Sequence, residues 1–282
     1  MTPEAAASTG WTARLELGVG LRGGRSVLES RRHSGPLVVQ RPFYPEGEGR
    51  CHLYLIHPPG GVVSGDELGV RLGVARGASA HVTTPAATKI YRSKGLDAVV
   101  EQRFTLEAGG ALEWLPQETI AFDGARARLK TIVSLEPGAR FIGWDIVCLG
   151  RRAAGEGFQR GRLVQRLEVW RSGVPLLVES MTLEGGSAFQ HAAYGLRGRS
   201  CTGTLVTVGA EPETVNALRA RVVERRGPGA GDFAATALRG VIVCRYLGDS
   251  GERARDLFSE AWEILRPAAL GSGAVPPRIW AT

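Results

Sequence analysis

The chain has three lysines, at 89, 94 and 130, two methionines and four cysteines, at 51, 148, 201 and 244. No C-x-x-C pair occurs, and a chain of 282 residues needs no disulfide staples, so reduced thiols in a cytosolic protein are expected. No apolar run approaches the ~20 residues of a membrane-spanning helix. The run at Gly240–Cys244 is strand-length. The opening MTPEAAASTGW lacks the basic and apolar segments of a secretory signal. A G-x-x-x-x-G-K-[ST] loop is missing, which excludes P-loop nucleotide hydrolysis. H-E-x-x-H, H-x-H and the G-x-S-x-G elbow are missing too, which removes the usual zinc-protease and serine-hydrolase readings. His52 and His57 would point to opposite faces of one strand, so no closed zinc site is expected.

What is abundant is glycine, with 39 residues, joined by 15 prolines. Together they make nearly a fifth of the chain against a usual ~12%. Helix bundles do not carry that many breakers, so a mainly β fold with many turns is expected. The net charge is +7 and comes almost entirely from arginine. The basic residues are dispersed, a balance that permits an acidic partner without specifying one. A basic β-rich interaction scaffold, with nucleic acid as one ligand, is therefore the alternative reading. Against it stand an aromatic content of 7% and the lack of an RNP-like motif. A metal-dependent hydrolase using Asp66 and the histidines would need three converging ligands, a spacing the chain lacks.

Alternation of apolar and polar residues predicts strands at 11–17, 51–57, 68–75, 98–106, 128–135, 139–148, 162–171 and 174–183. A strand–turn–strand pattern recurs around Gly77-Ala78, Gly110-Ala111 and Gly138-Ala139, with uneven spacing. Stacked hairpins in a β-helical or sandwich-like array fit it better than a strict solenoid. Two helices are expected, both in the C-terminal half. One runs over 211–225, with Pro212 in its first turn, Val215, Leu218 and Val222 on one face, and Gly227–Gly231 ending it. The other is capped by Ser250, carries a stripe of Ala254, Leu257, Phe258, Ala261, Trp262 and Leu265, and is stopped by Pro267. Between them a strand is expected over about 237–247. No linker divides the chain, so 1–282 is read as a single domain with 1–10 flexible.

Gly18-Val-Gly20-Leu-Arg-Gly23 matches G-x-G-x-x-G, but an extended stretch follows where a dinucleotide site requires a helix. A glycine-rich hairpin turn is the expected reading. Two other segments stand out. His57-Pro-Pro-Gly-Gly-Val-Val-Ser-Gly-Asp66 can continue neither a helix nor a central strand, and builds a shaped loop. There Asp66 would accept hydrogen bonds from nearby backbone N–H groups. Thr83-Thr-Pro-Ala-Ala-Thr-Lys-Ile-Tyr-Arg92 gathers hydroxyls and cations directly after a strand.

These two segments resemble the urease accessory protein UreD family, called UreH in some organisms. Glu113–Gly124, Trp144–Arg152, Gly155–Phe158 and Arg278–Trp280 fit the same family in the same order. The resemblance covers nearly the whole chain and implies a β-rich fold with two helices. It also implies a non-enzymatic, cytoplasmic chaperone in nickel insertion, acting with UreF, the GTPase UreG and the urease apoprotein. Neither nucleic acid nor membrane would be a partner, and a dimer of heterocomplexes is one arrangement it allows. Nickel(II) would be a transient passenger in a polar passage, with no permanently bound cofactor. By resemblance, the transit candidates are Asp66, Thr88, Asp145 and Glu179. Asp145 and Glu179 each interrupt an apolar strand, and an acid facing inward there would mark a wet interior. The plainer reading of either is a solvent-facing edge position or an ion pair with arginine. Glu118 and Lys89, in matching motifs, are explained equally well by fold maintenance.

Overall fold

Three corner glycines set the architecture. In a computed structural model of the chain, which describes residues 10–224 and 231–281, Gly77, Gly109 and Gly138 have φ of 69°, 71° and 75°. This left-handed conformation is cheap only for glycine. Each glycine follows by three residues the end of a strand in one sheet, and precedes by two a strand in the other. The expected flexibility of 1–10 and the glycine-rich helix end at 227–231 fall, apart from Gly10 and Gly231, outside the described residues.

In chain order the strands are β1 (Thr12–Arg22), β2 (Arg25–Ser34), β3 (Val38–Val39), β4 (Cys51–Ile56), β5 (Glu67–Val74), β6 (Ser79–Thr83), β7 (Thr88–Ile90), β8 (Ala98–Leu106) and β9 (Ala111–Trp114). They continue with β10 (Thr119–Ala121), β11 (Arg126–Leu135), β12 (Arg140–Leu149), β13 (Arg162–Arg171), β14 (Val174–Glu184), β15 (Cys201–Val208), β16 (Asp232–Leu238) and β17 (Val241–Gly248). The helices are α1 (Thr214–Glu224) and α2 (Gly251–Leu270). One sheet runs β14-β13-β11-β8-β5-β1-β2 and the other β16-β17-β15-β12-β9-β6-β4-β3, with β7 and β10 beside β12. Successive coils stack in parallel, β5 on β8 on β11 and β6 on β9 on β12.

The fold is thus mainly β and solenoid-like, with both helices in the C-terminal half. The two strands that flank each corner glycine lie in different sheets and pair with neighbouring coils. Gly23 and Gly24, with φ of 56° and 83°, form the β1–β2 hairpin turn expected from the G-x-G-x-x-G segment.

Two cores result. One fills the space between the sheets, and the other lies between the second sheet and the helices. β12 separates them, sending Phe141, Val147 and Leu149 to the first and Ile142, Trp144 and Ile146 to the second. Burial on both faces explains its nearly unbroken apolar run.

Three details of the helical region differ from expectation. α1 starts at Thr214, because the N–H groups of Thr214, Val215 and Asn216 bond three residues back to Glu211, Pro212 and Glu213. Pro212 and the acids therefore stand in a tight lead-in turn. Val215 and Leu218 are buried as expected, while the Val222 side chain lies outside the described residues. Pro267 does not stop α2, which reaches Leu270 and ends at Gly271, φ 73°. A proline in the last turn forfeits one backbone bond, and the Gly271 N–H still reaches the Pro267 carbonyl at 3.0 Å. The strand expected at about 237–247 is a hairpin, β16–β17, turning at Gly240. Ser250 caps α2 as expected, accepting from the Arg253 N–H at 3.1 Å.

α2 is fastened by a buried polar cluster. Glu113 of β9 and Arg266 of α2 have no exposed surface. Glu113 Oε1 accepts from Trp262 Nε1 at 2.6 Å and Arg266 Nε at 2.8 Å, and Oε2 accepts from Arg50 and from Arg266 Nη2. Glu46 bonds both Arg266 and His52. His52 stacks on His81, ring centroids 4.5 Å apart. Burial alone would push the Glu113 pKa up. The adjacent His81 and the two guanidinium groups more than reverse this and hold it well below the usual carboxylate range. Burial pushes His81 down, against the opposing pull of Glu113.

Replacing one partner leaves the others charged in a dry interior. Glu113→Ala is expected to lower the unfolding free energy by ~3–5 kcal/mol in urea titration. A loss below ~1 kcal/mol would mean that water reaches this cluster and screens it.

Candidate functional site

The corner end of the inter-sheet space is packed by Val74, Leu106 and Leu135, which share one rung of the first sheet. Four residues earlier on the same strands the rung reads Val70, Gln102 and Thr131. Polarity therefore enters the interior at the end away from the corners. There the sheets part around a cavity of about 340 Å³. Its deep wall holds Gln102, Trp114, Thr131, Asp145 and Gln165.

Its rim is built by the two segments singled out in the sequence. His57, Pro58, Gly60 and Gly61 line one side and Thr84–Lys89 the other. A parallel bridge between Val62 and Ile90 ties them, with Val62 N–H donating to the Lys89 carbonyl at 2.7 Å. Gly61 permits this closure, because a Cβ there would lie 2.1 Å from the Tyr91 ring. Pro116, Gln117 and Thr119, from a third family-like segment, complete the rim.

The four candidate residues are placed differently. Asp145 projects inward from β12, is largely enclosed by protein and lines the cavity. Burial pushes its carboxyl up to about 6, against weaker opposing bonds from Thr131 and Trp114. Thr131 Oγ1 lies 3.1 Å from Asp145 Oδ2 and 3.2 Å from Gln102 Oε1, with a single proton for the two. The Trp114 indole N–H is buried and makes no hydrogen bond of ordinary length. Thr88 begins β7 at the rim of the same cavity.

Asp66 is buried beside this site and does not line it. Its oxygens accept from the N–H groups of Val63 at 2.9 Å and Trp11 at 3.1 Å, so its part in the loop is the backbone-bonding one. Glu179 lies on the edge strand β14, in a separate groove, ion-paired with Arg245. There Glu179 is partly exposed, the edge position and arginine pairing that the plainer reading describes. Asp145 and Thr88 thus come together, and Asp66 and Glu179 do not join them.

Gln102, Thr131 and Gln165 were not anticipated, nor were His81 and Glu113 as partners. A signal for the last two existed: each stands four residues after a corner glycine, Gly77 or Gly109. Lys89 is exposed at the rim, and Glu118 is ion-paired with Arg255 at 2.9 Å. No cluster of three or more metal-ligating side chains occurs among the described residues, and no described helix is long and apolar enough to cross a membrane.

Asp145 carries a cost that pH should reveal. With its carboxyl raised from 3.8 to about 6, the folded state holds a proton that the unfolded chain releases between these values. The penalty is therefore full above pH ~6 and absent below pH ~4. Asp145→Asn is expected to gain up to ~3 kcal/mol over the parent at pH 7, shrinking toward zero at pH 4. Paired urea titrations across that range check it, and a pH-independent difference would contradict it.

The family model described as UreD urease accessory protein matches residues 12–281. A protein of Dechloromonas aromatica named urease accessory protein UreD is 45% identical over 276 residues, covering 98% of this chain and 96% of its own. Its namesake from Klebsiella aerogenes is 42% identical over 274 residues, covering 97% of both chains. A third, from Trichormus variabilis, is 41% identical over 273 residues, again covering 97% of both.

Proposed function

Because the chain belongs to the UreD family of urease accessory proteins, we propose that it is a urease maturation factor that delivers nickel and catalyses no reaction itself. It works in the cytoplasm, bridging a complex of UreF and the GTPase UreG to apo-urease, and offers nickel(II) a polar passage toward the urease active site. The lack of a P-loop in this chain supports that division of labour, since the energy-consuming step belongs to a partner.

The observation that carries the reading is the Asp145 cavity. A space of about 340 Å³ holds roughly ten waters at ~30 Å³ each, enough for a hydrated ion. Carboxylate, hydroxyl and amide oxygens line its deep wall, with His57 and Lys89 at the rim. Such donors hold a late divalent metal loosely, where paired thiolates or imidazoles would hold it fast. Asp145 attracts the cation, and the Thr131 hydroxyl has one proton to give to either Asp145 or Gln102. Thr88 stands at the rim, and Asp66 keeps the rim loop in shape. Glu179, in the groove beside β17, is a second carboxylate on the outer route, masked by Arg245 until a partner displaces it. Many arginines that a nucleic-acid ligand would need are engaged by acids, as in Arg126 and Arg128 with Asp97 or Arg160 with Asp123.

The test is urease activity and bound nickel in cells carrying urease and all accessory genes, with the parent chain, without it, and with Asp145→Ala, Thr88→Ala or Glu179→Ala. Activation is expected to vanish without the chain. With Asp145→Ala it is expected to fall about tenfold or more, corresponding to ~1.4 kcal/mol, while pull-down of UreF, UreG and urease is unchanged. Full activation without the chain would overturn the maturation role. Full activation by Asp145→Ala would overturn the passage.

A further inference from the structure

The second core contains a pair of thiols that metal transit does not use. Cys148 of β12 and Cys201 of β15 face each other across antiparallel strands, Sγ to Sγ 3.5 Å, and neither is in a disulfide. The Leu149 N–H donates to the Ser200 carbonyl at 2.7 Å, which puts Leu149 and Ser200 at a hydrogen-bonding position of the ladder, although the Ser200 N–H turns to the Gly248 carbonyl. Cys148 and Cys201, the next pair along the ladder, are therefore a non-hydrogen-bonded pair, whose Cα atoms in general stand about 4.5 Å apart. That spacing lies within the range a disulfide spans. Cys51 and Cys244, both fully buried, have no such partner.

Burial is uneven. Cys201 is buried, whereas Cys148 is only partly so and lies against the start of α2. There Gly251 leaves it room: a Cβ at 251 would lie 2.8 Å from Cys148 Sγ. The adjacent Cys148 and burial push the Cys201 thiol far above the ordinary thiol range. Attack on an outside oxidant thus falls to Cys148, with Cys201 as the resolving thiol.

We propose that Cys148 and Cys201 form a reversible modification site, oxidised to a cross-strand disulfide by small-molecule disulfides such as oxidised glutathione. The Cys148 thiolate attacks one sulfur of the oxidant, forming a mixed disulfide and expelling the first glutathione thiolate. Cys201 then attacks Cys148 Sγ, forming the intramolecular S–S bond and expelling the second. The two cysteine protons pass to solvent or to the leaving thiolates. The protein loses two electrons, and the oxidant becomes two thiols. The product staples β12, three residues from Asp145, to β15 beneath α2.

The test incubates the purified full-length chain in mixed oxidised and reduced glutathione, quenches it by alkylation, and maps all four cysteines by mass spectrometry. Cys148 and Cys201 are expected to lose alkylation together, one to one, and to appear in a linked peptide lighter by two hydrogens. Dithiothreitol should restore both, and Cys51 and Cys244 should stay reduced. Cys148→Ser is expected to leave Cys201 a free thiol under the same conditions. A glutathione adduct that persists on Cys148 beside a free Cys201 overturns the proposal, as does linkage to Cys51 or Cys244. The readout on the parent chain does not depend on how the variant folds, nor on whether nickel passes through the cavity.

Discussion

One carboxylate, Glu113, ties the second sheet to the loop before β4 and to the C-terminal helix. It sits on β9 beside the inter-sheet core, takes a guanidinium from the loop before β4, and receives Trp262 and Arg266 from α2. Ionised groups without solvent cost several kcal/mol each unless their bonding is complete. Completion here requires the second sheet, the 46–50 loop and the C-terminal helix together. The helix is held by shape as well, through the apolar stripe ending in Leu265, but the charged bonds decide where along the sheet it sits. Arg266 can satisfy Glu113 and Glu46 at once in one register only.

The inter-sheet space shows the opposite economy. Its corner end is dry and tightly filled, whereas its far end keeps a carboxyl, two amides, a hydroxyl and an indole N–H around open volume. A core built for stability alone would fill that volume with aliphatic side chains. The Trp114 N–H, without a bond of ordinary length, and the raised Asp145 carboxyl are departures of the kind that proteins keep where a site requires them.

Strand positions were readable because alternation reports burial on one face, and β11 and β13 show it plainly. The Gly-Ala turns were readable too, since only glycine takes the corner conformation cheaply. Less legible was which strands pair. A coil corner and a hairpin turn use the same residues, and only the parallel stacking of β5, β8 and β11 separates them. Asp145 could be picked out because it breaks an apolar strand. Glu179 breaks one as well, yet it lies on an edge strand. Local sequence does not report sheet order, so the same signal has two meanings. Gln102 and Thr131 escaped notice because polar residues in alternating strands normally face water. The path of α2 past Pro267 was hidden because a proline's effect depends on how much helix follows it.

The position of the last fifty residues has a consequence for how the chain is made. α2 closes the second core, and Trp280 packs on both Trp144 and Trp262 while donating to Thr83 at 2.9 Å. During synthesis on the ribosome the coils emerge and pair first, since their partners are near in sequence, whereas α2 and Trp280 arrive at the end. Until then, the outer face of the second sheet presents Ile142, Trp144 and Leu205 to water, beside a Glu113 that still lacks the bonds from Trp262 and Arg266. A nascent chain in this state is a sticky, half-closed sheet. The time for which it stays so is set by translation of the C-terminus, which makes early termination or a slow final stretch the moment of greatest exposure to aggregation and proteolysis.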